Sequence, residues 1–102
     1  MNILIPVDIK DRYKSIIKSI EENSFWALVC LEDAKIVNVS FYERKEDIDV
    51  FIDNLVVINN MEFVWPFFEE SINIFIAPIQ KSIDEIVEAF LFNELKPFSK
   101  KE

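Results

Sequence analysis

Apolar positions along this 102-residue chain follow two rhythms that alternate. Short unbroken apolar runs mark strands covered on both faces. They occur at residues 2–7 (NILIPV), 25–31 (FWALVCL) and 55–58 (LVVI). Another run, 72–77, sets Ile72, Ile74 and Ile76 against Asn73, Phe75 and Ala77. Pro78 ends it, because proline has no N–H to offer a ladder. Residues 36–42 alternate strictly, with Val37, Val39 and Phe41 on one face and Asn38, Ser40 and Tyr42 on the other. That predicts a half-exposed strand, joined to the run before it as a hairpin through Glu32-Asp33-Ala34-Lys35.

The second rhythm has helical spacing. Tyr13, Ile16, Ile17 and Ile20 predict about two turns of helix ending near Asn23. Ile48, Phe51, Ile52 and Leu55 predict a helix over 45–53. In Met61 to Ser71, Pro66 is tolerated only in a first helical turn, so a short helix starting at Trp65 or Pro66 is expected, or a kinked one spanning the segment. The clearest helix follows Ser82. Its hydroxyl can accept from the Glu85 amide while the Glu85 carboxylate reaches back to the Ser82 N–H, a capping box. Ile83, Ile86, Val87, Phe90 and Leu91 then form one apolar stripe. Three strands followed by alternating helices and strands predict a single α/β domain over 1–96. Its mixed sheet has five strands with the first in the middle, and helices lie on both faces. Residues 97–102 read as a charged tail.

Composition narrows the chemistry. A hydrophobic fraction of 51% with ten Phe argues for a packed core, and a chain of this size buries roughly 65% of its unfolded surface. The formal charge of −8 argues against nucleic acid and against anionic membrane surfaces, since both need clustered Lys and Arg. No apolar run is long enough for a membrane span. Cys30 is the one cysteine; set in an apolar run, it is expected to be a buried inert thiol in a reducing, cytoplasmic setting. The chain has no His and no Gly. Histidine acid–base chemistry and His metal ligation are therefore excluded, as are glycine-dependent phosphate loops. Turns requiring positive φ are expected to use Asn or Asp.

Three stretches resemble the dinitrogenase iron-molybdenum cofactor biosynthesis family, of the NifX and NafY type. They are Ile5-Pro6-Val7-Asp8, then Leu31-Glu32-Asp33-Ala34-Lys35-Ile36, and Ile72 to Ala77 leading into Ser82 to Phe90 and Asn93-Glu94-Leu95. The resemblance implies a ribonuclease H-like three-layer fold with strand order 3-2-1-4-5. Glycines usual in that family are missing from Glu43–Asp47 and Asn59–Phe63, and Ser19 to Asn23 stands where it carries an aromatic-Gly-Arg segment. The His and Cys residues proposed to hold cofactors in some relatives have no counterpart, so no cofactor is expected.

In that sheet the carboxyl ends of strands one, four and five bring Asp8, Asn59, Asn60, Gln80 and Lys81 to one edge. Open α/β sheets bind ligands there, so a small polar or cationic ligand is one reading, and ordinary turn polarity is the other. Asp8, Asp33 and Asp53 could form a two-metal carboxylate set, but Asp33 falls at the opposite end of the sheet from Asp8. Phe63, Trp65, Phe67 and Phe68 crowd four aromatics into six residues. An exposed patch for a protein partner or self-association, built on Phe63, Trp65 and Phe67, competes with core closure. The leading expectation is a non-catalytic binding module. A carrier or chaperone for a metal cofactor or iron–sulfur cluster stands second, and an enzyme last.

Overall fold

The computed structural model describes residues 1–98, apart from the side chains of Phe68 and Glu69. Its centre is a six-stranded mixed sheet in the order β3-β2-β1-β4-β5-β6. The strands are β1 (Asn2–Val7), β2 (Phe25–Glu32), β3 (Lys35–Tyr42), β4 (Asn54–Val57), β5 (Asn73–Ile76) and β6 (Lys96–Pro97). The first strand is central, as expected. It pairs antiparallel with β2 (Ile3 opposite Val29) and parallel with β4 (Leu4 opposite Leu55), and β4 continues parallel into β5. The expected sheet of five gains a sixth strand, because Lys96 and Pro97 pair antiparallel with Ile76 and Phe75. The predicted tail therefore begins later than residue 97: Phe98 donates its amide to Ile74 O at 2.9 Å and packs on the core. Residues 99–102 of that tail lie outside the described residues.

Alternation along the strands divides the core in two. Ile3, Ile5, Val7, Ala27, Val29, Leu31 and Val56 face one side, where the helix α2 (Ile83–Leu91) inserts Ile83, Ile86, Val87 and Ala89. Leu4, Trp26, Leu28, Leu55, Val57 and Ile74 face the other, against Val64 and Phe67 around the helix α1 (Trp65–Glu69). Burying one such aliphatic side chain contributes about 1.5–3 kcal/mol. The capping box forms as the sequence predicts: Glu85 N donates to Ser82 Oγ at 3.2 Å and Ser82 N to Glu85 Oε1 at 3.0 Å. Pro66 stands in the first turn of α1, where its missing N–H leaves no helical bond unmade.

Two predicted helices are absent. Residues 13–23 form turns, because aspartates capture the backbone first: Asp11 Oδ1 accepts from Tyr13 N and Lys14 N, and Asp8 Oδ1 from Ile16 N. Such short acidic side chains compete directly with helical hydrogen bonding. Residues 45–53 hold only a 3₁₀ turn at Lys45–Asp47. The chain then runs extended, drawn to the start of β1 by Asn2 Nδ2, which donates to Phe51 O at 2.8 Å, and Asn2 N, which donates to Asp53 Oδ2 at 2.8 Å. Ile48 and Ile52 pack inward while Val50 and Phe51 are exposed.

The hairpin also departs from the simple alternation. A register shift between Cys30 and Leu31 puts Asn38 opposite Cys30 and Ile36 opposite Leu31, so Val37 bulges outward and is exposed. Ile36, Val39 and Phe41 therefore face the α2 side together. Among the described residues four take positive φ: Asp33 (53°), Ala34 (62°), Ser71 (60°) and Asn93 (59°). Asp and Asn serve as expected, but Ala34 and Ser71 occupy a region where a Cβ is disfavoured by roughly 1–2 kcal/mol. Among the described residues no helix is long and apolar enough to cross a membrane.

Candidate functional site

The carboxyl edge of β1, β4 and β5 carries three loops, residues 8–24, 58–64 and 77–82. The first of them determines what this edge can do. β1 pairs with β4 only through Ile3 and Leu4; beyond that the two strands part and leave the crevice in which open α/β sheets ordinarily take a ligand. Here the chain fills it. Ile17 pairs antiparallel with Val7, Lys18 N donates to Pro6 O at 2.9 Å, and Asp8 N donates to Ile16 O at 3.2 Å. Since β2 lies along the other side of β1, the 16–18 segment takes the side that β4 vacates. Pro6, with no N–H, needs no acceptor there. Ile17 is almost wholly buried in this position.

The plug is tied to both neighbouring loops. Ile17 N donates to Lys81 O at 2.9 Å. Ile20 N donates to the Glu62 carboxylate, at 3.1 Å to Oε1 and 3.2 Å to Oε2. Burial is the main reason the Glu62 carboxyl titrates above its ordinary range; amide donors at Ile20 and Ile58 oppose the rise, and Glu21 and Glu22 add to it.

Of the five polar residues expected at this edge, Asp8 and Asn59 are engaged through their side chains. Asp8 Oδ1 accepts from Ile16 N at 2.8 Å, and Asn59 Oδ1 accepts from Met61 N at 2.8 Å in a local turn. Lys81 supplies its carbonyl to the plug, Asn60 is exposed, and the Gln80 Oε1 atom is buried with no hydrogen-bond partner among the described residues, as is Ser15 Oγ. Asp8, Asp33 and Asp53 do not converge. Asp53 sits with Asn2 at the start of β1, Asp33 lies in the hairpin turn at that same end, and Asp8 stands at the other. Among the described residues no group of three His, Cys, Asp or Glu side chains is gathered as a metal site.

Large apolar side chains also stand exposed at the edge, among charged and polar ones. Met61 is 82% exposed, Ile79 78%, Tyr13 73% and Phe63 68%, with Ile9 and Ile16 also exposed. The sequence singled out Phe63 from this set. Met61 and Ile79 had no periodic context, and Tyr13 and Ile16 read as the buried stripe of a helix. Trp65 is about half exposed. Phe67 does not belong to the surface: it is buried, with its ring 6.0 Å from that of Trp26 and beneath Lys45 Nζ at 4.9 Å. A five-residue helix has one inner face, and Phe67 occupies it.

Cys30 is half-buried rather than buried. It alternates away from Val29 and Leu31, and its cross-strand neighbours are Asn2 and Asn38. At the amino ends of β4 and β5, an open hollow of about 560 Å³ is lined by Lys45, Phe51, Ile52, Glu70 and Ile72. Lys45 and Glu70 pair within it at 3.5 Å, and Glu46 also lines it.

No family model matches the chain, and a comparison with the curated proteins finds no match. Solved structures do resemble it. A protein from Methanocaldococcus jannaschii provisionally called a dinitrogenase superimposes with a TM-score of 0.72 at 17% identity, covering 99% of this chain and 97% of that one. A Thermotoga protein provisionally called a NifB protein, of the DUF35 family, gives 0.74 at 14% identity, covering 99% and 96%. At these identities the likeness shows a shared fold alone.

Proposed function

We propose that this chain is a non-catalytic binding module with a ribonuclease H-like fold, a divergent relative of the nitrogenase cofactor-biosynthesis domains, working in the cytoplasm on a protein partner. The observation that carries this is the plugged crevice. The place where such a sheet would hold a small molecule is filled by Ile17 and closed by backbone hydrogen bonds, while large apolar side chains stand exposed around it. An arrangement of that kind offers a surface rather than a pocket. Affinity capture from native cytoplasm tests it, with wild type beside a Met61→Ser/Phe63→Ser double variant. A macromolecule retained by wild type and lost by the variant supports the reading; equal retention by both refutes it.

The names of the structural neighbours favour a second reading, a carrier for a metal cofactor or an iron–sulfur cluster. The residues present do not fit such cargo. Cys30 is the one thiol, there is no His, and the carboxylates named above do not converge. Purified protein reconstituted with iron and sulfide decides the matter: stoichiometric iron with visible absorbance would restore the carrier, and its absence removes it.

A further inference from the structure

We propose that the sheet pairs laterally with a second copy of this chain, β3 against β3, antiparallel about a two-fold axis at Val39, so that two sheets become one. This goes beyond the binding-module reading and uses a surface separate from the carboxyl edge.

The two outer strands of the sheet differ in how they meet solvent. On one side β5 is covered by β6, which is two residues long and consists of Lys96 and Pro97. A very short strand, a lysine and a proline are features that blunt an edge against further pairing. On the other side β3 is eight residues long, none of them buried, and among the described residues no strand lies beyond it. Residues 36–42 (IVNVSFY) contain no charge and no proline. The bulge at Val37 interrupts only the first part of β3; from Asn38 to Tyr42 the register with β2 is regular. A row of outward N–H and C=O groups of this kind is matched by an extended chain.

The sequence of β3 says which chain. Outward from Val39 it reads alike in both directions: Asn38 and Ser40 are polar, Val37 and Phe41 apolar, and Lys35 and Glu43 opposite in charge. Antiparallel pairing about Val39 sets Asn38 beside Ser40 of the other copy and Val39 beside its own counterpart. It also brings Lys35 of each copy alongside Glu43 of the other; the bulge displaces Lys35 by one position, which its long side chain spans. Cross-strand pairs of these types stabilise a sheet. Lys35 and Glu43 are exposed, and neither belongs to an ion pair among the described residues. On the α2 side Ile36, Val39 and Phe41 are half-buried, and the same pairing places them next to their counterparts. Because β6 blunts the opposite rim, addition closes at two copies.

Sedimentation equilibrium of the full chain over a range of concentrations, with hydrogen–deuterium exchange at the same concentrations, is the test. A monomer–dimer equilibrium is expected, with exchange in residues 36–42 slowing as the dimer forms. Lys35→Glu places like charges together twice per dimer and should weaken association about tenfold. Adding Glu43→Lys to that variant should restore it. Met61→Ser/Phe63→Ser, at the carboxyl edge, should leave it unchanged. Circular dichroism of each variant confirms that these exposed substitutions leave the fold intact. A monomer at every concentration overturns the proposal. So does a dimer without slowed exchange in 36–42, a Lys35→Glu variant that associates as wild type does, a double charge variant that fails to recover, or association lost in Met61→Ser/Phe63→Ser. The capture experiment above reads the carboxyl edge, and its outcome stands apart from this one.

Discussion

The 8–24 loop and helix α2 are neighbours in space, joined by Ile17 N to Lys81 O and by the exposed Arg12–Asp84 pair at 3.1 Å. Both carry apolar residues at helical spacing, and each contains a carboxylate positioned to capture backbone amides. They differ in where that carboxylate sits. Glu85 is at the third position after Ser82, so its reach backwards completes the first turn of a helix. Asp8 and Asp11 have shorter side chains that reach forward to Ile16, Tyr13 and Lys14, satisfying those amides in a turn. The same apolar period thus supports α2 in one place and a buried plug with an exposed rim in the other. The local acceptor, and not the period, selects between them.

The comparison breaks most visibly in the core. Ile86→Ala should cost about 2–5 kcal/mol in urea unfolding, because Ile86 is fully buried beneath α2. Tyr13→Ala, at the equivalent start of the loop's apolar series, should change stability by no more than about 0.5 kcal/mol. Equal effects would mean that the loop packs like the helix. Removing the acceptors comes next. Asp8→Ala leaves Ile16 N without its partner and should cost about 1–3 kcal/mol, with faster amide exchange at Ile16 and Lys18. Ser82→Ala should cost about 1 kcal/mol, and Ser82→Asp should recover most of it.

The smallest effect is also the most discriminating, because the two carboxylates titrate in opposite directions. Glu85 is held below its ordinary range, first by the Ser82 amide and then by that of Lys81. Its contribution is present above pH 4.5 and fades as the pH falls through the lowered value. Glu62 is raised, chiefly by burial, so its contribution is complete below 4.5 and is lost as the pH rises through the raised value. Melting temperatures of Glu62→Gln and Glu85→Gln relative to wild type, followed across that range, should therefore diverge with opposite slopes. Parallel curves would show that Glu62 is not desolvated at the loop junction.

Strands were readable from sequence because unbroken apolar runs admit few other folds, and α2 because its cap and stripe agree. The loops were not. Asp8 and Asp11 oppose the 13–23 stripe through hydrogen bonds that no period reveals, and residues 45–53 follow Asn2, a partner far away in the chain. Val37 looked inward until the bulge displaced it. β6 was hidden because two residues, one of them Pro97, carry no alternation at all. At the candidate edge, Asp8, Asn59, Asn60, Gln80 and Lys81 were legible by position, since strand order fixes which loops meet. That the crevice is filled was not legible, because it depends on a long-range pairing of Val7 with Ile17.

The two-residue strand β6 has a significance out of proportion to its length. It lies along the outer rim of β5, where the backbone of Phe75 and Ile76 would otherwise face solvent, and Phe98 anchors it from beyond. A chain shortened ahead of Lys96 would uncover that rim and offer passing strands a ready template, so light scattering on gentle warming should reveal clumping in the truncated protein that the intact one resists.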